Sequence, residues 1–315
     1  MTTLLVSQPD FADHVTPPGH AERPDRIVAI EEALARSRFD ALVRRNAPTG
    51  DLMLAELVHD ARYLPQLRAA RPAEGIGQLD PDTFISARSL DAVATGIGGA
   101  LMALDAVLLG QADNAFCAIR PPGHHAEIDR PMGFCLVNTV AITAREAQRK
   151  YGAERIAIVD FDVHHGNGTQ DIFKADPTVF YASSHQMPLY PGTGHPRETG
   201  VGNIVNVPLD ANSDGAAMRD AYLTRIIPAL IDFSPDLLLL SAGFDSHRLD
   251  PLAQLNWESS DFSWLTGKLM DVAERCCGNR IVSLLEGGYD LKGLAGGASH
   301  HVAMLMDGAV GRLED

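Results

Sequence analysis

The chain has 315 residues, 45% of them apolar and 21% charged, with 28 glycines and 19 prolines. That composition suits one large α/β domain over residues 1–315 and excludes extended disorder. The 26 Lys and Arg against 41 Asp and Glu leave a formal charge of −15, which speaks against nucleic-acid and membrane partners and, beyond its value for solubility, favours cationic substrates.

The opening MTTLLVSQPDF has no cationic region leading into an apolar stretch, and no run reads as the roughly 18 apolar residues of a membrane span. The expectation is a cytoplasmic protein. Cys117, Cys135, Cys276 and Cys277 show no C-x-x-C spacing, so they read as reduced structural thiols.

In chain order, apolar runs that suit strands buried on both faces stand at 4–8, 116–120, 155–162, 179–185, 204–209, 236–245 and 280–288. Helical stretches are expected at 138–150, 214–231, 261–277 and 291–306. Residues 27–109 read mainly as helix, interrupted by the turn-rich RPAEGIGQLDPD at 71–82. Alternating strands and helices predict a largely parallel sheet covered on both sides, whose functional residues gather beyond the carboxyl ends of the strands.

The chemistry-bearing residues fall at those ends. After the strand at 116–120, the stiff turn PPGHHAE presents His124 and His125 side by side, either a hydrogen-bonded loop feature or an acid–base pair. In VDFDVHHGNGTQ, period-two alternation puts Asp160, Asp162 and His164 on one face. An ion pair would account for Asp-x-His alone, but a divalent metal is the economical way to keep two carboxylates and an imidazole on so apolar a strand. Asp245, closing DLLLLSAGFD, is a helix cap or a third ligand; two Asp and one His leave the open position that a catalytic zinc needs. In LLEGGYD, Gly287 and Gly288 permit close backbone approach, and the Tyr289 phenol either fills a loop or donates to an oxyanion.

PPGHHA, DFDVHHGNGTQ, SSHQMPLYPGTG, SAGFD and EGGYD, in this order, resemble the histone deacetylase family, in particular its class II and bacterial histone deacetylase-like amidohydrolase branch. PPGHAERPDR (17–26) resembles that branch's opening loop, with Ala21 where the family pattern has Pro. The resemblance implies the arginase-deacetylase fold, a three-layer α/β/α sandwich around a mostly parallel sheet of about eight strands. It implies Zn²⁺ on Asp162, His164 and Asp245, a site type that also accepts Fe²⁺. His124 and His125 become the acid–base pair, Tyr289 the carbonyl-polarising group, and Asp160 and Asn167 the partners orienting the histidines. Some branches carry Asp at the position of Asn167, and the neutral amide should leave His125 with the lower pKa. A structural K⁺ is implied at Asp160, the main-chain oxygens of Asp162, His164 and Ser184, and the Ser183 hydroxyl. Phe134 and Tyr190 match the substrate channel walls, Leu252 the gate, and Arg23 a basic residue near an inner acetate exit.

The implied activity is removal of acetyl or other short acyl groups from lysine side chains of peptides or proteins. An acetylpolyamine amidohydrolase, taking an acetylated small amine, shares the chemistry; apolar Leu252 at the gate fits acyl-lysine better, although Asp80 or Asp82 could supply an acid. Two-metal arginase chemistry needs D-x-H-x-D, and here Gly166 follows His165. An inactive acyl-lysine binding module would lack the Tyr that stands at 289. Homo-oligomerisation is left open.

Overall fold

The computed structural model describes residues 1–308, and its elements are counted among these described residues. Ten strands appear in chain order: β1 (Thr3–Ser7), β2 (Val43–Asn46), β3 (Ile76–Gln78), β4 (Phe84–Ser86), β5 (Asn114–Cys117), β6 (Ile156–Asp160), β7 (Val179–Gln186), β8 (Ile204–Leu209), β9 (Leu237–Ala242) and β10 (Ile281–Leu285). Eight form one sheet in the order β2-β1-β5-β10-β9-β6-β7-β8, every pair parallel. β3 and β4 make a separate antiparallel hairpin. All seven sequence-predicted strands are present, and the continuous apolar runs are those buried on both faces.

Nine α-helices connect them: α1 (Asp25–Leu34), α2 (Tyr63–Ala70), α3 (Ser89–Leu108), α4 (Thr139–Tyr151), α5 (Asn167–Phe173), α6 (Gly215–Ala221), α7 (Ile227–Phe233), α8 (Ser259–Cys277) and α9 (Leu291–Asp307). A single π-helical turn, Tyr222–Ile226, joins α6 to α7. The two sides of the sheet are visible at β5. The Phe116 ring meets His301 of α9, while the next side chain, Cys117, turns its thiol to the Gly99 carbonyl of α3. α3 packs on α4, and α1, α9, α8 and α7 pack in succession, giving the expected three-layer sandwich.

α3 corrects one expectation. With 20 residues and a mean hydropathy of 1.5 it is long and apolar enough to cross a bilayer, but 72% of the window is buried in the fold, so its apolarity is that of a core helix. The loop following β2 lies directly on it: Gly50 donates its N–H to Ala94 O at 2.8 Å, and a Cβ on Gly98 would overlap the Pro48 carbonyl.

The chain order brings the site together. β5 and β6 are separated by the last two strands, β9 and β10, so the four central neighbours are β5, β10, β9 and β6. Their carboxyl ends carry PPGHH, EGGYD, AGFD and DFDVHH.

Gly98→Ala tests the α3 contact. Helix propensity favours Ala by about 1 kcal/mol, but overpacking against a fixed carbonyl costs about 1–3 kcal/mol. Thermal unfolding should therefore show a lower Tm than wild type; an unchanged or raised Tm would mean that the loop yields.

Candidate active site

Asp162, His164 and Asp245 converge beyond β6 and β9, their ligand atoms all within 4.8 Å of one another. His164 Nδ1 lies 3.1 Å from Asp162 and 3.2 Å from Asp245, and all three residues are buried. Glycine makes this convergence possible. Gly287 donates its N–H to Asp162 Oδ2 at 2.8 Å, and a Cβ there would run into both carboxylates. A Cβ on Gly243 would likewise strike Asp162.

The electrostatics call for a cation. Burial, then the charge of Asp162, pushes the Asp245 carboxyl up to about 7. Burial also works against the Asp162 carboxylate, yet the positive imidazoles of His124 and His164 hold it below the ordinary range. Burial lowers His164, but its bonds to Asp162 and Asp245 outweigh that and raise it to about 10. No Lys or Arg pairs with either Asp among the described residues. Two carboxylates and one imidazole, with no Lys or Arg beside them among the described residues, form a donor set that fits a divalent ion with one position left open.

His124 and His125 stand beside this triad with ring centroids 4.0 Å apart. His124 Nδ1 bonds Asp160 at 2.9 Å, and His125 Nδ1 bonds Asn167 Oδ1 at 2.7 Å. The partners divide the pair. For His124, burial is outweighed by the charges of Asp160, Asp162 and Glu286, so its pKa rises well above that of a free histidine. For His125, burial and the positive charges of His124 and His164 drive it well below. The hydrogen bond from Asn167 works in the opposite direction and raises His125, so the lowering comes from burial and the neighbouring positive charges and not from the amide.

A cleft of about 220 Å³ opens on the triad, lined by Asp82, His125, Gly133, Phe134, His164, Leu189, Tyr190, Leu252 and Tyr289. Of the four channel residues read from the sequence, Phe134, Tyr190 and Leu252 are in its wall and Arg23 is not. The Tyr190 ring stands edge-on to His125 at 5.3 Å, and Phe134 edge-on to Tyr289 at 5.6 Å. Asp82 joins them from the β3–β4 turn, whereas Asp80 caps that turn, accepting from the N–H groups of Asp82 and Thr83. Burial raises the Tyr289 phenol well above its ordinary pKa, so it keeps its proton. Its backbone N–H is held by Asp250 at 2.6 Å, and Asp290 caps α9 immediately after it.

Arg23 is half-exposed and pairs with Asp25 at 3.2 Å. The arginine beside Tyr289 is Arg26, fully buried, its guanidinium 5.0 Å from the ring centroid. Of the positions read for K⁺, Asp160 and Ser183 are opposite one another in the β6–β7 register. The Ser183 hydroxyl pairs with His185 Nδ1 at 2.9 Å, and that of Ser184 with Tyr222 at 3.0 Å. Gly166 leaves no room for a second-metal carboxylate, because its Cβ would overlap Asp160 and the Tyr181 hydroxyl.

Several residues escaped the sequence reading. Glu286 accepts from Gly123 N at 2.7 Å, His124 N at 3.1 Å and the Ser241 hydroxyl at 3.1 Å, tying β10 to the His-His turn; burial pushes it up to about 7. Glu22 binds Arg120 through both carboxylate oxygens and Arg26 at 3.2 Å. Arg26 in turn donates to the carbonyls of Gly288, at 2.7 Å, and Glu286. Their signal in the sequence was the placement of Glu286, Glu22 and Arg120 within or against EGG, HAE and RPPG.

Comparison with known proteins agrees with this architecture. Residues 20–305 match the histone deacetylase domain family. A histone deacetylase-like amidohydrolase of Pseudomonas aeruginosa is 39% identical, over 87% of this chain and 74% of its own. A probable deacetylase of Archaeoglobus fulgidus is 36% identical, over 93% and 83%. The crystal structure of the HDA15 HD domain superposes with a TM-score of 0.91 at 31% identity, covering 99% of this chain and 91% of the other. With its parallel eight-stranded sheet and the His, Asp and Tyr residues gathered at the sheet's carboxyl edge, the chain belongs to the histone deacetylase family of deacetylases and amidohydrolases.

Proposed function

We propose that the protein is a zinc-dependent amidohydrolase that removes acetyl or other short acyl groups from lysine side chains of peptides or proteins. The observation that carries this reading is the juxtaposition of a two-carboxylate, one-imidazole ligand set with a split histidine pair and a protonated tyrosine, all at one narrow cleft. When bound by Asp162, His164 and Asp245, Zn²⁺ supplies Lewis-acid activation of a water and of the amide carbonyl.

The chain's own groups do the rest. His125, kept neutral by burial and by its cationic neighbours, takes a proton from the attacking water at its cleft-facing nitrogen and returns it to the departing amine nitrogen. His124 stays charged on Asp160 and stabilises negative charge as it develops. Tyr289 donates its phenolic proton in a hydrogen bond to the carbonyl oxygen as that becomes an oxyanion. Phe134, Tyr190, Leu189 and Leu252 shield the four-carbon stem of an acyl-lysine from water.

Turnover of fluorogenic acetyl-lysine peptides, measured beside acetylated polyamines, tests the reading. We expect peptide hydrolysis that a chelator abolishes and Zn²⁺ restores. Preference for polyamines would replace the substrate class, and chelator-resistant turnover would remove the metal.

Two variants separate the roles. Tyr289→Phe should lower kcat by about 10²- to 10³-fold with its metal content intact, as expected for loss of one oxyanion donor; full activity would refute that role. Gly287→Ala should instead weaken metal retention by about 10- to 100-fold in a competition with a chelating dye, because it disturbs a hydrogen-bond partner of Asp162.

A further inference from the structure

Glu127 follows the His-His pair but lines no part of the cleft and touches none of the three metal-binding candidates. Its side chain is about one-fifth exposed. One carboxylate oxygen, Oε1, accepts from Asn167 Nδ2 at 2.6 Å, and the other, Oε2, accepts from Arg130 at 2.8 Å. Its backbone is clamped independently. The N–H donates to Arg130 O at 3.0 Å, and the carbonyl accepts from His59 Nδ1 at 2.8 Å. The direction of that last bond is fixed, because His59 Nε2 accepts from the backbone N–H of Asn138 at 3.0 Å.

The consequence lies in what an asparagine amide can do when nothing constrains it. Rotated by 180°, Asn167 would present its NH₂ to His125 in place of its oxygen, with almost the same shape. His125 would then have to accept at Nδ1 and carry its proton on Nε2, leaving no lone pair toward the cleft. A carboxylate has acceptors only, so Glu127 admits just one orientation, with Nδ2 toward itself and Oδ1 toward His125. The Met132 sulfur, 3.2 Å from the same nitrogen, is a second, weak acceptor on that side. With Oδ1 accepting at 2.7 Å, the His125 proton stays on Nδ1 and Nε2 is left bare.

We propose that Glu127 is a positioning residue which, through the orientation of Asn167, sets the tautomer of His125 and so equips it as the base. The inference deepens the proposed function and rests on its assignment of His125. It also couples positions 127 and 167: an Asp at 167 would face the Glu127 carboxylate with no proton between them, whereas a Gln at 127 could donate to it.

The test has two independent readouts on the full-length, zinc-loaded protein. ¹⁵N NMR of the histidine rings should place the His125 proton on Nδ1 in wild type and show a mixture of tautomers in Glu127→Leu. In the acetyl-lysine assay, Glu127→Leu should lose about 10- to 100-fold in kcat, the usual range for an outer-shell partner, with KM and zinc content unchanged. Glu127→Gln, which still offers an acceptor oxygen, should recover most of that loss. Asn167→Asp should be impaired on its own and regain at least about tenfold when combined with Glu127→Gln, a non-additivity that simple destabilisation does not produce. A wild-type tautomer and kcat in Glu127→Leu, or strict additivity in the double variant, would overturn the proposal. If wild type hydrolyses no acetyl-lysine substrate, the functional reading fails, and the tautomer measurement still decides the role of Glu127.

Discussion

Four carboxylates, Asp160, Asp162, Asp245 and Glu286, lie in the dry edge of one parallel sheet, and the requirement to hold their charge there organises the structure around them. An unpaired buried carboxylate costs several kcal/mol, so each must be met by protons, dipoles or a cation. Asp160 takes His124, the Tyr181 hydroxyl and the Asp162 N–H. Glu286 takes two backbone N–H groups of the His-His turn and a serine hydroxyl. Asp162 and Asp245 have backbone donors and one shared imidazole, which leaves negative charge in excess. That residual charge is what makes the pair candidate metal ligands, where Asp160 and Glu286 have their oxygens met by neighbouring donors.

The same requirement explains the glycines and the split histidines. Carboxylates approach closely only where no side chain intervenes, as at Gly166, Gly243 and Gly287. Adjacent histidines in one turn would ordinarily titrate alike, but the carboxylates around His124 raise its pKa against burial, whereas burial and the positive charges of His124 and His164 lower that of His125. Behind them, Glu22, Arg120 and Arg26 pass charge-assisted bonds from the opening loop to the turn that carries Tyr289.

The strands and their terminal motifs were legible because a strand buried on both faces must be continuously apolar, and the first polar residue after it then marks the edge. β2 was invisible for the opposite reason: VRRN is an exposed edge strand with no apolar pattern. β3 lay within the Pro-, Gly- and Asp-rich stretch at 71–82 that reads as turn, β4 lay just beyond it in a region read mainly as helix, and α5 is too short and too rich in Asn, Gly and Thr for periodicity to register. Helix 214–231 was read as continuous, but its ridge is broken by a π turn. The buried arginines and Glu22 were missed because their partners are distant in the chain, Arg120 from Glu22 by 98 residues and Arg26 from Gly288 by 262. Local pattern sets these residues within or beside the motifs but carries no trace of which distant groups they pair with.

Floor and wall of the cleft obey different rules. The floor is built on strand ends whose registers are fixed by the sheet, so its chemistry tolerates little change. The wall comes from loops. Phe134 sits at φ 67, a left-handed backbone that costs a non-glycine residue about 1–2 kcal/mol. It is kept there by a bond from its N–H to the Thr83 hydroxyl and by edge contacts with His20 and Tyr289. Thr83 belongs to the β3–β4 turn that also carries Asp82 to the cleft. One hairpin therefore sets both an apolar and an acidic part of the wall without contributing to the metal set. The hairpin thus shapes the cleft wall independently of the strand ends that carry the Asp, His and Tyr residues, so wall and floor rest on separate elements of the fold.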